Sequence, residues 1–103
     1  MKIMAVGTLN SFTPEQQRTY MPTEVPATLK LYLDGKMEQF WLRDNNAGVI
    51  FLMTVDSVKE ADALLKAMPL GAAGLLTFEL MPVGPLKPLA MLMPPPGGRM
   101  AVA

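Results

Sequence analysis

Five consecutive residues, Val49-Ile50-Phe51-Leu52-Met53, carry no polar side chain. They follow Asn45-Asn46-Ala47-Gly48, whose Asn and Gly residues tolerate positive φ and suit a hairpin connection. The run therefore reads as a strand from Val49 to Val55. In an antiparallel sheet with one wetted face such a strand alternates apolar and polar residues; here it does not, so both faces need cover. The stretch Lys2 to Leu9 repeats the pattern, with Ile3, Ala5 and Leu9 on one side and Met4 and Val6 on the other. Leu75 to Met81 does so again, with Leu76, Phe78 and Leu80 opposite Leu75 and Met81.

Two helices are expected between these strands. Thr13-Pro14-Glu15-Gln16 has the form of a helix start, with Thr13 as cap, Pro14 at the first helical position and Gln16 reaching back. Pro22 and Pro26 predict an interruption, with a short turn to about Tyr20 and a restart near Thr23. Beyond it Val25, Leu29, Tyr32 and Leu33 form an expected buried stripe, and Gly35 supplies a left-handed stop. Lys36 to Asp44 reads as a strand with Met37, Gln39, Trp41 and Arg43 on one side and Glu38, Phe40 and Leu42 on the other. Ser57-Val58-Lys59-Glu60 is a capping box, and Val58, Ala61, Leu64, Leu65 and Met68 make the stripe of a second helix ended by Pro69. The order β-α-β-β-α-β specifies a ferredoxin-like α+β domain over residues 1–83, with a four-stranded antiparallel sheet and both helices on one face. Residues 84–103 form a Pro-rich tail with little expected regular structure, whose Leu89 to Met93 can lie along a neighbouring subunit.

Two helices cover only one face of such a sheet. Leaving about five large apolar side chains exposed, at ~1.5 to 3 kcal/mol each, would cost more than a small domain's usual stability. A second copy packed face to face is the expected remedy, so a homo-oligomer, at least a homodimer, is predicted. The rival is the tail folding back over the open face.

Nine basic residues balance nine acidic ones, so no broad positive field exists to gather phosphates, and nucleic acid is not an expected partner. No apolar stretch reaches membrane-spanning length and the N-terminal apolar run is short for a signal peptide, which makes a cytoplasmic location the expectation. The chain has no cysteine and no histidine, which removes thiolates, imidazole bases and the usual zinc ligands. Chemistry must then use carboxylates, Lys, Arg, Tyr or Ser/Thr, and no cofactor or metal is expected.

Leu31-Tyr32-Leu33-Asp34-Gly35-Lys36, the strand around Trp41, the Asp56-Ser57 helix start, and Met68-Pro69-Leu70 leading to Phe78-Glu79-Leu80 together resemble the muconolactone isomerase-like family, in order and spacing over most of Lys2 to Val83. The resemblance implies a dimeric α+β barrel with a ligand cavity between sheet and helices, and cofactor-free proton transfer on a lactone. Gln39 stands about where the family's strand carries a histidine, a departure from the family's reaction pattern.

Proton transfer beside a carbonyl needs a base of raised pKa and a donor or cation for the developing oxyanion. Glu15 and Glu60 are accounted for by helix starts, Asp44 by a turn, and Asp34 and Asp62 by solvated faces. Glu79, in an otherwise apolar strand beside Thr77, is a catalytic candidate or else an ion-pair partner of Lys2 or Arg43 across a dimer interface. Glu24, near the expected helix break and Tyr20, is a second candidate base; its plain alternative is placement at a helix N-terminus. Glu38 is expected in solvent. Trp41 and Arg43 share a strand face and can grip a planar anionic ligand, or else serve core and edge. Tyr20 and Tyr32 are candidate phenol donors, Tyr32 equally a core residue, and the ten methionines supply adaptable apolar lining. Together these make a cofactor-free enzyme on a small hydrophobic or aromatic-derived substrate the first expectation, with Glu79 or Glu24 as base and Arg43 or Tyr20 as electrophile. Cofactor-independent oxygenation of an anthrone-type compound, with Trp41 stacking the ring, and a non-catalytic ligand-binding module are the alternatives.

Overall fold

A computed structural model describes residues 1–44 and 47–93. The Asn45-Asn46 part of the expected hairpin connection and the run from Pro94 onward lie outside them. Four strands, β1 (Lys2–Leu9), β2 (Met37–Leu42), β3 (Gly48–Thr54) and β4 (Leu76–Val83), form an antiparallel sheet in the order β2-β3-β1-β4. Helix α1 (Pro14–Leu33) links β1 to β2, while α2 (Val58–Ala67) and a one-turn α3 (Pro69–Ala72) link β3 to β4. This is the ferredoxin-like α+β fold expected from the element order.

The register sorts the strands into two faces. Phe40, Phe51, Ala5 and Leu80 form one cross-strand row, and Leu42, Val49, Gly7 and Phe78 form the next. Of these, Phe51, Ala5, Leu80, Val49 and Phe78 join Ile3 and Met53 against Leu31 of α1 and Ala61, Leu65 and Met68 at the α2 end, making one core, while Phe40 and Leu42 stay exposed at the β2 edge. The opposite face carries the rows Gln39-Leu52-Met4-Met81 and Trp41-Ile50-Val6-Glu79, and its centre is apolar.

Glycine is required where the core rows are tightest. A Cβ on Gly7 would stand 2.7 Å from the Phe78 ring, which tilts against Phe51 at a centroid separation of 5.5 Å. A Cβ on Gly48, whose φ is 153°, would meet the Gly7 carbonyl oxygen at 1.9 Å.

Several local expectations are corrected. Helix α1 is continuous through Pro22 and Pro26, with no break near Tyr20. Each proline deletes one backbone N–H, but both lie on the solvent side, where water can satisfy the freed carbonyls of Arg18 and Pro22. The buried stripe of α1 is not Val25, Leu29, Tyr32 and Leu33, all of which are exposed. It is Glu24, Ala27, Thr28 and Leu31, at i, i+3, i+4 and i+7, a rotation that turns the helix's one buried acid inward. The α1 capping box forms as read, with Gln16 N–H on Thr13 Oγ1 at 3.1 Å and Thr13 N–H on Gln16 Oε1 at 2.8 Å. Gly35, with φ 77°, makes the expected left-handed stop.

In β2 an extra residue at Glu38 shifts the register between Met37 and Gln39, so Met37 faces the core with Phe40 and Leu42, apart from Gln39 and Trp41. Glu38 is not simply solvated: its carboxylate accepts from Lys2 and from Thr54 Oγ1, and these bonds hold its pKa below the ordinary value. Only half of the α2 capping box forms. Glu60 N–H bonds Ser57 Oγ at 3.0 Å, but the Glu60 carboxylate takes the Asp56 N–H and the Lys36 ammonium rather than the Ser57 backbone. Val58 is exposed instead of joining the stripe. Past Val83, which closes the edge strand β4, the tail is more regular than expected: Lys87–Leu92 forms a 3-10 helix with Leu86, Leu89, Met91, Leu92 and Met93 exposed.

Candidate functional site

A cleft of about 610 Å³ opens between α1 and the end of the sheet formed by β2 and β3. Met21, Glu24, Val25, Thr28 and Leu29 line it from the helix, and Phe40, Leu42, Val49 and Phe51 from the sheet. Phe12, Leu70 and Leu76 close one end. The misread stripe finds its role here: Val25 and Leu29 are half exposed because they wall a cleft rather than a core.

Glu24 is the one charged residue on these walls among the described residues. Only 5% of it is exposed, and Oε1 accepts the backbone N–H of Leu70 at 2.9 Å, tying α1 to α3. Among the described residues Oε2 has no hydrogen-bonding partner. Burial disfavours the charged form and raises the pKa above the ordinary glutamate value; the Leu70 N–H opposes this in part. Because α1 is continuous, Glu24 sits in mid-helix, which removes helix-start placement as its explanation. A buried carboxyl of raised pKa with a free oxygen in an apolar cleft can accept, donate or hydrogen-bond a ligand proton.

The other sequence candidates are spread over the molecule. Tyr20 is half buried one turn before Glu24 on the same helix face. Trp41 borders the cleft at the β2 edge, although its register partner Ile50 belongs to the open face. Tyr32 is exposed and packs edge-on against Phe40, with centroids 6.0 Å apart. Gln39 and Glu79 are exposed on the open face, Glu79 opposite Val6, far across the sheet row from Trp41. The Arg43 guanidinium donates to the Gly7 carbonyl at 3.1 Å and to Thr8 Oγ1 at 2.9 Å, away from the cleft walls. Within one chain, then, Glu24 and Trp41 both border the cleft, and Tyr20, Tyr32, Arg43, Gln39 and Glu79 line no part of it. Sequence reasoning missed Gln17, Thr28 and the Leu70 N–H. Gln17 and Thr28 follow Glu24's spacing on α1 and were legible once the helix was taken as unbroken; nothing in the sequence marks Leu70.

Among the described residues no helix is long and apolar enough to cross a membrane, and no group of three or more acidic residues is arranged to hold a metal ion. No family model matches the chain, and no curated protein matches its sequence. Its fold is shared with a solved 5-chloro-2-hydroxyhydroquinone dehydrochlorinase from Burkholderia phenoliruptrix, in complex with 2,5-dihydroxybenzoquinone. The two superpose with a TM-score of 0.68 at 12% identity, over 84% of this chain and 97% of the other.

Proposed function

We propose that this chain is a cytoplasmic, cofactor-free enzyme acting on a small aromatic-derived or lactone-like substrate, with Glu24 as the proton-transferring group. The observation that carries the reading is the Glu24 carboxyl, buried in an apolar cleft with one oxygen free. In an isomerisation of the muconolactone isomerase type, the carboxylate takes a proton from the carbon beside a carbonyl and returns it further along the conjugated system. The double bond shifts and no net proton is consumed. The Gln17 side-chain amide is the donor on the cleft wall for the transient oxyanion, and the Tyr20 phenol lies one turn from Glu24. The neighbour's chlorinated hydroxyquinol substrate supports the choice of an aromatic-derived compound.

The open sheet face favours a second copy as its cover, since Met4, Val6, Ile50 and Leu52 form a contiguous apolar centre flanked by Trp41 and Met81. Glu79 stands on the edge strand β4 of that face, while the Arg43 guanidinium is bonded over the adjacent β1.

The test is deuterium exchange by NMR, in D2O, at the acidic carbon of butenolide and cyclohexenone probes, compared with E24Q. Wild-type acceleration that falls by ~100-fold or more in E24Q is expected. Full activity in E24Q would remove Glu24 from the mechanism. Oxygen uptake with an anthrone would redirect the reading to oxygenation, and tight binding of such probes without exchange would make the protein a binder.

A further inference from the structure

We infer that the cleft selects a neutral ring compound bearing a hydroxyl group and rejects carboxylates, with Glu24 as the specificity-determining residue. The inference rests on the reading of this cleft as a small-molecule site but does not require turnover.

Among the described residues Glu24 is the only ionisable group lining the cleft, and no cation stands there to offset an incoming anion. Lys2 is paired with Glu38, Lys30 with Asp34, Lys36 with Glu60 and Lys66 with Asp62, all outside the cleft. The guanidinium of Arg43 is committed to Gly7 and Thr8, and Arg18, Lys59 and Lys87 are exposed and line no part of it. A ligand carboxylate entering here would lose its hydration among Phe40, Phe51 and Leu70 and, wherever Glu24 is ionised, gain a like charge as neighbour.

The same geometry favours a hydroxyl. Oε1 is occupied by the Leu70 N–H at 2.9 Å, which fixes the carboxyl and leaves Oε2 as an acceptor without a partner among the described residues. A phenol or enol donating to Oε2 would form a charge-assisted hydrogen bond while its ring meets aromatic and aliphatic walls.

The experiment titrates the full chain at pH 7 with methyl 4-hydroxybenzoate, with 4-hydroxybenzoate and with methyl 4-methoxybenzoate. The three share a ring and differ by a charge or by the loss of the donor. Fluorescence of the single tryptophan, Trp41 at the cleft edge, and calorimetry report binding. The hydroxy ester is expected to bind on the order of 10-fold or more tighter than either analogue, a ratio worth about one hydrogen bond or one unfavourable charge contact. In E24Q, which keeps an acceptor for the Leu70 N–H, the acid's disadvantage should largely vanish. V25K, at a half-exposed wall position, should raise the acid's affinity with Glu24 intact. Equal or tighter binding of the acid by the native chain overturns the inference, as does an unchanged ratio in both variants. Failure of all three compounds to bind at millimolar concentration overturns the small-molecule reading itself, whereas the expected ratios without any turnover would refute only the enzyme reading.

Discussion

Replacing Glu24 in two ways separates the charge it carries from the bond it accepts. In E24Q the Gln Oε1 still accepts the Leu70 N–H, while the buried negative charge is gone. In E24A that N–H, on a residue itself buried, loses its partner. An unpaired buried donor costs ~1 to 3 kcal/mol, so E24A should be less stable than E24Q by about that amount, a sizeable share of the ~5 to 15 kcal/mol usual for a domain. The pH dependence is expected to have a definite sign. The folded-state pKa of Glu24 is raised by burial, so the folded state holds the proton more tightly than the unfolded chain. The native chain therefore has its full advantage below the ordinary glutamate pKa and loses it as pH rises through the raised folded value. Urea unfolding of the native chain, E24Q and E24A across pH 4 to 8, at fixed protein concentration, should show the native chain falling relative to E24Q as pH rises. A gap that stays constant, or that moves in favour of the native chain toward pH 8, would refute the buried-charge argument. Equal stability of E24A and E24Q would refute the structural role of the Leu70 bond.

Two further outcomes follow from packing. Gly7→Ala meets the edge of the Phe78 side chain and should cost ~1 to 3 kcal/mol, whereas Gly48→Ala meets the Gly7 backbone at a φ of 153° and should cost more; chemical denaturation orders the two, and the reverse order would contradict the register of β1 and β3. If a second copy covers the open face, L52E should turn a dimeric native chain into a monomer or an insoluble product in size-exclusion with light scattering, while a native chain that is already a dilute folded monomer would remove the need for a partner.

Much of the fold was legible because it rests on strand periodicity and turn chemistry. The double-faced apolar strand, the Thr13 cap and the Gly35 stop all report local physics, and each appears where the residues placed it. Glu24 was legible only as a candidate. The misreadings have two sources. A bulge is a one-residue register event with little local signature, so Met37 was assigned to the wrong face of β2. Proline was read as a helix breaker, although its cost depends on whether the freed carbonyls face water, a tertiary fact.

The helix face was misread for a reason that bears directly on function. Apolar periodicity identifies the side of a helix that avoids water, and both a core and a ligand cleft satisfy that condition. On α1 the two compete: Ala27 and Leu31 pack into the core while Val25, Thr28 and Leu29 stand beside an open volume. Glu24 lies at the boundary of the two stripes, where it can be buried, bonded to Leu70 and still keep an oxygen toward the cavity. A core would gain more from an apolar residue there, since a desolvated carboxyl with one partner is unfavourable for folding. In the proposed function, that cost in stability is exchanged for a proton-transferring group at Glu24.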